Sequence, residues 1–151
     1  MIVQIPVVSQ KFSVMAIGGF FRSIRRKDFG FCVSIDGQTR AAIIFPEKGG
    51  HRLLVGGLPT DVASYPDALV RVASEFGSPE EIGFGAVIRA SDGNSYIQVS
   101  DGFSGGFRTF DLQTGLQTDL PNDVSPILYA HWKVGVLVDS KFEEIFSWVA
   151  P

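Results

Sequence analysis

FGFCVSIDGQTRAAIIF, residues 29 to 45, alternates in side-chain character on either side of an Asp-Gly pair. Phe29, Phe31, Val33 and Ile35 fall on one face of an extended chain, because side chains in a strand repeat every two residues. Asp36-Gly37 supplies the turn and Ala41 to Phe45 returns, so the stretch reads as a β-hairpin. IGFGAVIRASDGNSYIQV, residues 82 to 99, repeats the design with its turn at Asp92 to Asn94. Gly and Asp-Gly punctuation cuts the rest of the chain into short segments, and further strands are expected near 2 to 8, 12 to 17, 20 to 25, 51 to 56, 106 to 112 and 127 to 138. The connections are too short for helical crossovers, which makes the pairing antiparallel. GGHRLLVGGLPTDV at 49 to 62 also resembles GGFRTFDLQTGLQTDLPNDV at 105 to 124, and each follows an Asp-Gly hairpin. The spacing does not hold, so 29 to 62 and 82 to 124 read as two similar meanders rather than a strict repeat.

Two segments switch to a helical period. Ser64 precedes Pro66 and Asp67, after which Leu69, Val72, Ala73 and Phe76 recur at three- and four-residue steps until Gly77. Ser140 and Glu143 have the Ser-x-x-Glu spacing of a capping box, followed by a stripe of Phe142, Ile145, Phe146 and Val149. The fold class read from these patterns is α+β. It is a predominantly antiparallel, strongly bent sheet with one central helix and one C-terminal helix.

The chain has 151 residues, of which 45% are hydrophobic, and a formal net charge of -3. That describes one globular domain over residues 1 to 151, large enough to bury a core without a metal or disulfide staple. A lone Cys32 excludes an internal disulfide framework, and Cys32, His51 and His131 have no zinc-site spacing. No apolar run approaches the roughly 20 residues of a spanning helix. MIVQIPVV at the start lacks a basic n-region, so the expected setting is cytoplasmic, away from the membrane. No cofactor and no metal is expected.

Charge is segregated along the chain. Residues 11 to 52 carry eight basic side chains against three acidic ones, whereas residues 79 to 125 carry seven acidic against two basic. The basic knot Arg22, Arg25, Arg26 and Lys27, flanked by Phe20, Phe21 and Phe29, resembles a nucleic-acid footprint. A solvated strand end explains it better, since the protein is acidic overall and no RNA-binding aromatic motif is present. The acidic stretch reads as a partner surface: Asp92, Asp101, Asp111, Asp119 and Asp123 give charge complementarity, with Tyr96, Phe103 and Trp132 as aromatic anchors. Ordinary turn chemistry competes as an explanation for the same Asp residues. Catalysis has a thin inventory. Only Cys32 with His51 or His131 could make an activated thiolate, and no local signature surrounds it. The Asp-rich turns lack the order of a calcium loop, and no Gly-x-Gly-x-x-Gly follows a strand.

The order SYIQV (95 to 99), RTFDLQTG (108 to 115), PILYAHW (126 to 132), VGVLVD (134 to 139) and SKFEEIFSWV (140 to 149) resembles the end of the SUKH superfamily of bacterial toxin-immunity proteins. LPTDV at 58 to 62 is similar to the Leu-Pro approach to that family's helix. The resemblance covers about residues 82 to 150. The family opens with a helix before its Leu-Pro element, whereas the first 57 residues here read as strands. The resemblance implies a non-catalytic protein that binds and neutralises a toxin, and an acidic face is what a basic toxin cleft accepts. The expected function is therefore a non-catalytic protein-binding module, an immunity or inhibitor protein that masks a basic partner. The alternative is a barrel-like or cupped sheet that binds a small molecule, and a third reading is a small enzyme using Cys32 or His131. Unpaired sheet edges would allow a homodimer.

Overall fold

A computed structural model of the chain describes residues 4–47, 50–73, 84–101, 106–121 and 126–150. Among these lie the strands β1 (Val8–Lys11), β2 (Phe20–Ser23), β3 (Phe29–Ile35), β4 (Thr39–Phe45), β5 (Arg52–Leu54), β6 (Asp61–Tyr65) and β7 (Leu69–Val72). They continue with β8 (Val87–Arg89), β9 (Ser95–Ser100), β10 (Phe107–Asp111), β11 (Ile127–Tyr129), β12 (His131–Val138) and β13 (Lys141–Val149). The strands form three sheets, ordered β1-β6-β2-β3-β4-β5, β10-β9-β8-β11 and β13-β12-β7, and every strand pair is antiparallel.

The hairpin of residues 29 to 45 lies inside the first sheet, paired from Phe29↔Phe45 to Ile35↔Thr39. Asp36 and Gly37 turn it with φ of 52° and 72°, a left-handed backbone that glycine adopts freely and aspartate tolerates. All of β3 is buried, because both faces of the sheet are covered. Phe29, Phe31, Val33 and Ile35 point into a central core that all three sheets share. Cys32 points the other way, into a smaller core with Phe12, Met15, Phe21, Ala42, Ile44 and Val62. Arg40 fastens the lid on this outer core, donating from Nη1 to the carbonyls of Phe12 (3.2 Å) and Met15 (2.6 Å).

Aromatic stacking joins the first sheet to the third. Phe29 stacks on Phe146 at 4.4 Å, Phe45 meets Trp132 edge-on at 5.0 Å, and Trp132 stacks on Trp148 at 5.8 Å. The first and second sheets are tied by backbone: Ser34 N–H donates to Gly115 O at 2.9 Å and Gln117 N–H returns to Ser34 O at 3.1 Å. The two similar meanders of the sequence appear as β3-β4-β5 and β8-β9-β10, each three strands with neighbours in chain order.

The expectation of an α+β fold is corrected: the described residues are nearly all sheet, with one short 3-10 turn at Phe12–Val14. The expected C-terminal helix is β13, paired with β12 along its whole length. Asp139 and Ser140 both have positive φ (51° and 66°) and form the two-residue turn between β12 and β13, so Ser140 is not a helix cap. The apolar stripe divides between the two faces of the hairpin, Phe146 opposite Val134 on the inner face and Phe142 and Val149 opposite Leu137 and His131 on the other, and a β-bulge at Ile145 inserts one extra residue. It carries the inward positions from Glu143, opposite Val136, to Phe146 and Trp148. Arg22 takes the carbonyl of the bulged Ile145 with an Nη2 hydrogen bond of 3.1 Å.

The expected central helix is corrected as well. Ser64 belongs to β6, which inserts between β1 and β2, and Leu69 and Val72 belong to β7 on the edge of β12. Pro66 and Asp67 make the turn between them, closed by Ala68 N–H on Tyr65 O at 3.2 Å. Proline fits that turn for the reason it fits a helix start, a fixed φ near −65°. The end of the expected helix, with Phe76 and Gly77, lies outside the described residues. The strand expected at 12 to 17 is instead the 3-10 turn and the loop after it; among the described residues the first strand begins at Val8, and the start of the strand expected at 2 to 8 lies outside them. The stretch 127 to 138 is two strands broken at Ala130.

Candidate functional site

The chain must travel from β5, at one edge of the first sheet, to β6, which lies beyond β4, β3 and β2. Four inter-strand spacings amount to about 19 Å, and seven steps of extended chain reach about 23 to 25 Å. The connection Val55–Thr60 is therefore a nearly taut strap across the outer face. Leu58 anchors it on the outer core, and Phe12 N–H holds its end through the carbonyl of Thr60 at 2.9 Å.

Between this strap and the turn from β2 to β3 opens a groove of about 380 Å³. Its floor is apolar, formed by Ile44, Leu54, Leu58 and Pro59. Its rim is basic, with Arg25 and Arg26 on the turn and Arg52 at the start of β5. All three arginines are exposed, and their side chains make no hydrogen bond or ion pair with the described residues. Two carboxylates also line the groove. Asp61 is already paired with Lys11 Nζ at 2.6 Å, while Asp28 has no side-chain partner among the described residues.

The turn that carries Arg25 and Arg26 is set by its own hydrogen bonds. Ser23 N–H donates to Asp28 O at 2.8 Å, Lys27 N–H to Ser23 O at 2.8 Å, and Asp28 N–H to Ser23 Oγ at 3.1 Å. Lys27 takes a left-handed conformation with φ 59°, and Arg22 Nη1 donates to its carbonyl at 3.2 Å. The guanidinium groups at 25 and 26 therefore sit on a braced backbone.

The acidic residues singled out from the sequence do not form one array. Asp92 and Asp111 gather about Tyr96: its hydroxyl donates to Asp92 Oδ2 at 3.0 Å, and Asp111 lies across from it in the ladder. Both carboxylates also serve turns, Asp92 accepting from Asn94 N–H at 2.8 Å and Asp111 from Gln113 N–H at 2.7 Å. Asp101 sits past the far end of β9, on the order of 20 Å away at the rise of a strand. Asp119 is exposed after β10, and Asp123 and Phe103 lie outside the described residues. Tyr96 and Trp132 are buried, at 5% and 1% exposure, so their rings pack inside rather than face a partner. Trp132 Nε1 is committed to Gly85 O at 2.8 Å. The exposed rings are Phe84 and Phe107, stacked at 5.7 Å, which the sequence reading passed over.

The residues considered for catalysis are built into the fold. Cys32 is fully buried, and burial pushes its thiol pKa up, with Arg40 beside the sulfur partly offsetting the rise. His51 Nε2 accepts Ser100 N–H at 2.9 Å, and burial lowers its pKa while a backbone hydrogen bond with Phe84 pulls it back. His131 Nε2 pairs with Ser147 Oγ across the β12–β13 ladder at 3.1 Å. Among the described residues there is no group of three or more His, Cys, Asp or Glu able to hold a metal, and no helix long and apolar enough to cross a membrane.

No family model, curated protein or solved structure matches the chain. The reading of the site rests on its own geometry. In the sequence Arg25 and Arg26 belong to a solvated basic knot, and nothing local connects them to Arg52. The signal that could have linked them is the length of the connection through Gly56-Gly57-Leu58-Pro59, too short to be slack once β5 and β6 lie four strands apart.

Proposed function

We propose that the protein is a non-catalytic binding protein that takes its ligand in the groove between the β2–β3 turn and the Val55–Thr60 strap. The observation that carries this reading is three arginines whose side chains have no partner among the described residues, around an apolar floor in about 380 Å³, a volume in the range of small-molecule sites. Unpaired guanidinium groups held on a braced turn keep their hydrogen-bonding capacity for a ligand, and pre-organisation lowers the cost of binding. The test is a fragment screen by amide chemical-shift mapping with neutral and anionic fragments. Shifts should cluster in residues 23 to 28 and 52 to 61. Hits that cluster elsewhere, or nowhere, would reject the groove.

A protein-binding role retains one specific support. Phe84 and Phe107 are 39% and 55% exposed, and Asp101 adjoins them through its N–H bond to Gly106 O. Stacked exposed rings beside polar groups are a frequent feature of contact surfaces. The masking of a basic toxin by an acidic face draws less from the geometry, because Asp92 and Asp111 serve their own turns and Asp101 lies at the other end of β9. A protein captured by the wild type and lost with Phe107→Ser would make partner binding the primary role.

A further inference from the structure

We infer that the groove recognises a small molecule carrying a phosphomonoester, an inference that rests on the groove being the ligand site. Charge balance selects the class. Arg25, Arg26 and Arg52 contribute three positive charges, Asp61 is neutralised by Lys11, and Asp28 contributes one negative charge. The excess is two positive charges. A phosphomonoester carries about −1.5 to −2 at neutral pH and offers three acceptor oxygens, whereas a carboxylate or a phosphodiester leaves a guanidinium unmatched. Guanidinium forks fit phosphate oxygens in pairs, and two arginines from the turn and one from β5 line the same groove.

The rest of the groove describes the rest of the ligand. Leu54, Leu58 and Pro59 offer an apolar surface for an organic body, and the Asp28 carboxylate can accept from a hydroxyl or amine on it. Ser23 Oγ accepts the Asp28 N–H, which leaves its own hydrogen to donate toward the groove. A polynucleotide fits less well, since two of the neighbouring cations that would extend a backbone track are engaged, which leaves exposed Lys27 alone beside the groove. Lys11 holds Asp61, and Arg22 holds the carbonyls of Lys27 and Ile145.

The experiment titrates the intact protein with phenyl phosphate, benzoate, methyl phenyl phosphate and a short oligothymidylate, read by amide shifts and calorimetry. Phenyl phosphate should bind with shifts confined to residues 23 to 28 and 52 to 61. Benzoate and methyl phenyl phosphate, each a monoanion with the same ring, should bind about tenfold more weakly or worse. Arg52→Gln and Arg26→Gln, both at exposed positions, should each weaken phenyl phosphate by about tenfold while thermal unfolding stays unchanged. Equal affinity for phenyl phosphate and benzoate, both in the groove, would overturn the phosphomonoester and leave the groove standing. Silence of the groove toward every probe and every fragment would overturn both. Tighter oligothymidylate binding with shifts running beyond the groove would replace the small molecule with a polynucleotide.

Discussion

His51 ties the first sheet to the second through one ring nitrogen, and its lowered pKa makes that tie sensitive to pH. The unfolded chain takes up the proton first as pH falls below about 6.5, so this contribution is present above that value and is lost as pH falls through it. Urea midpoints should therefore drop between about pH 7.5 and about pH 5, and His51→Gln should flatten that part of the profile. Gly115 is a second single-residue constraint. Its φ is +72°, and a Cβ there would press on the backbone of Gly18 and lie 2.7 Å from Cys32 O. Gly115→Ala should cost about 2 kcal/mol or more in chemical denaturation, and a change within about half a kcal/mol would mean the approach is looser than drawn. Individual residue types were legible in the sequence, but their burial was not. Trp132 reads as a surface anchor because it sits near a turn and carries a polar N–H, whereas the third sheet carries it into the core.

The β12–β13 hairpin decides whether the C-terminal pattern is strand or helix, and its turn gives a test that separates the two. Asp139 and Ser140 occupy positions where Asn and Gly are the preferred pair, because both need positive φ. Asp139→Asn with Ser140→Gly should stabilise the protein by about 0.5 to 1 kcal/mol, read from the urea midpoint. In a helix the same change would remove an N-cap serine and destabilise it. Phe146, stacked on Phe29 at 4.4 Å, should cost about 3 to 5 kcal/mol when replaced by alanine. The hairpins at 29 to 45 and 82 to 99 were legible because Asp-Gly and Asp-Gly-Asn turns follow a strict two-residue period. The segments at 64 to 73 and 140 to 149 were not. A proline turn and an apolar stripe divided between two strand faces each produce helix-like spacing locally, and only pairing with distant strands chooses between the alternatives.

Across the whole molecule, one core is shared by residues of all three sheets, from Phe31 and Ile43 through Ile97 and Phe110 to Val134 and Trp148. No sheet can lose its inner face without exposing its neighbours. Unfolding followed by tryptophan fluorescence, which reports on the third sheet, and by far-UV circular dichroism, which reports on all strands, should give coincident transitions. Separate midpoints would show that the sheets come apart independently. The groove belongs to this scale too, since Arg26 and Arg52 are 26 residues apart in sequence and are brought together by the run β2-β3-β4-β5, while the strap that walls the groove crosses there because β6 inserts between β1 and β2.

The sequence by itself determined the antiparallel hairpins, the inward face of β3 and the turns that close them, because these depend on a two-residue period and local backbone chemistry. Tertiary structure alone decided that the helical-looking segments are strands, that both faces of the first sheet are buried, and that three arginines share one groove. Short apolar segments satisfy either period. The choice falls to whichever partner supplies the missing backbone hydrogen bonds, and that partner lies far along the chain.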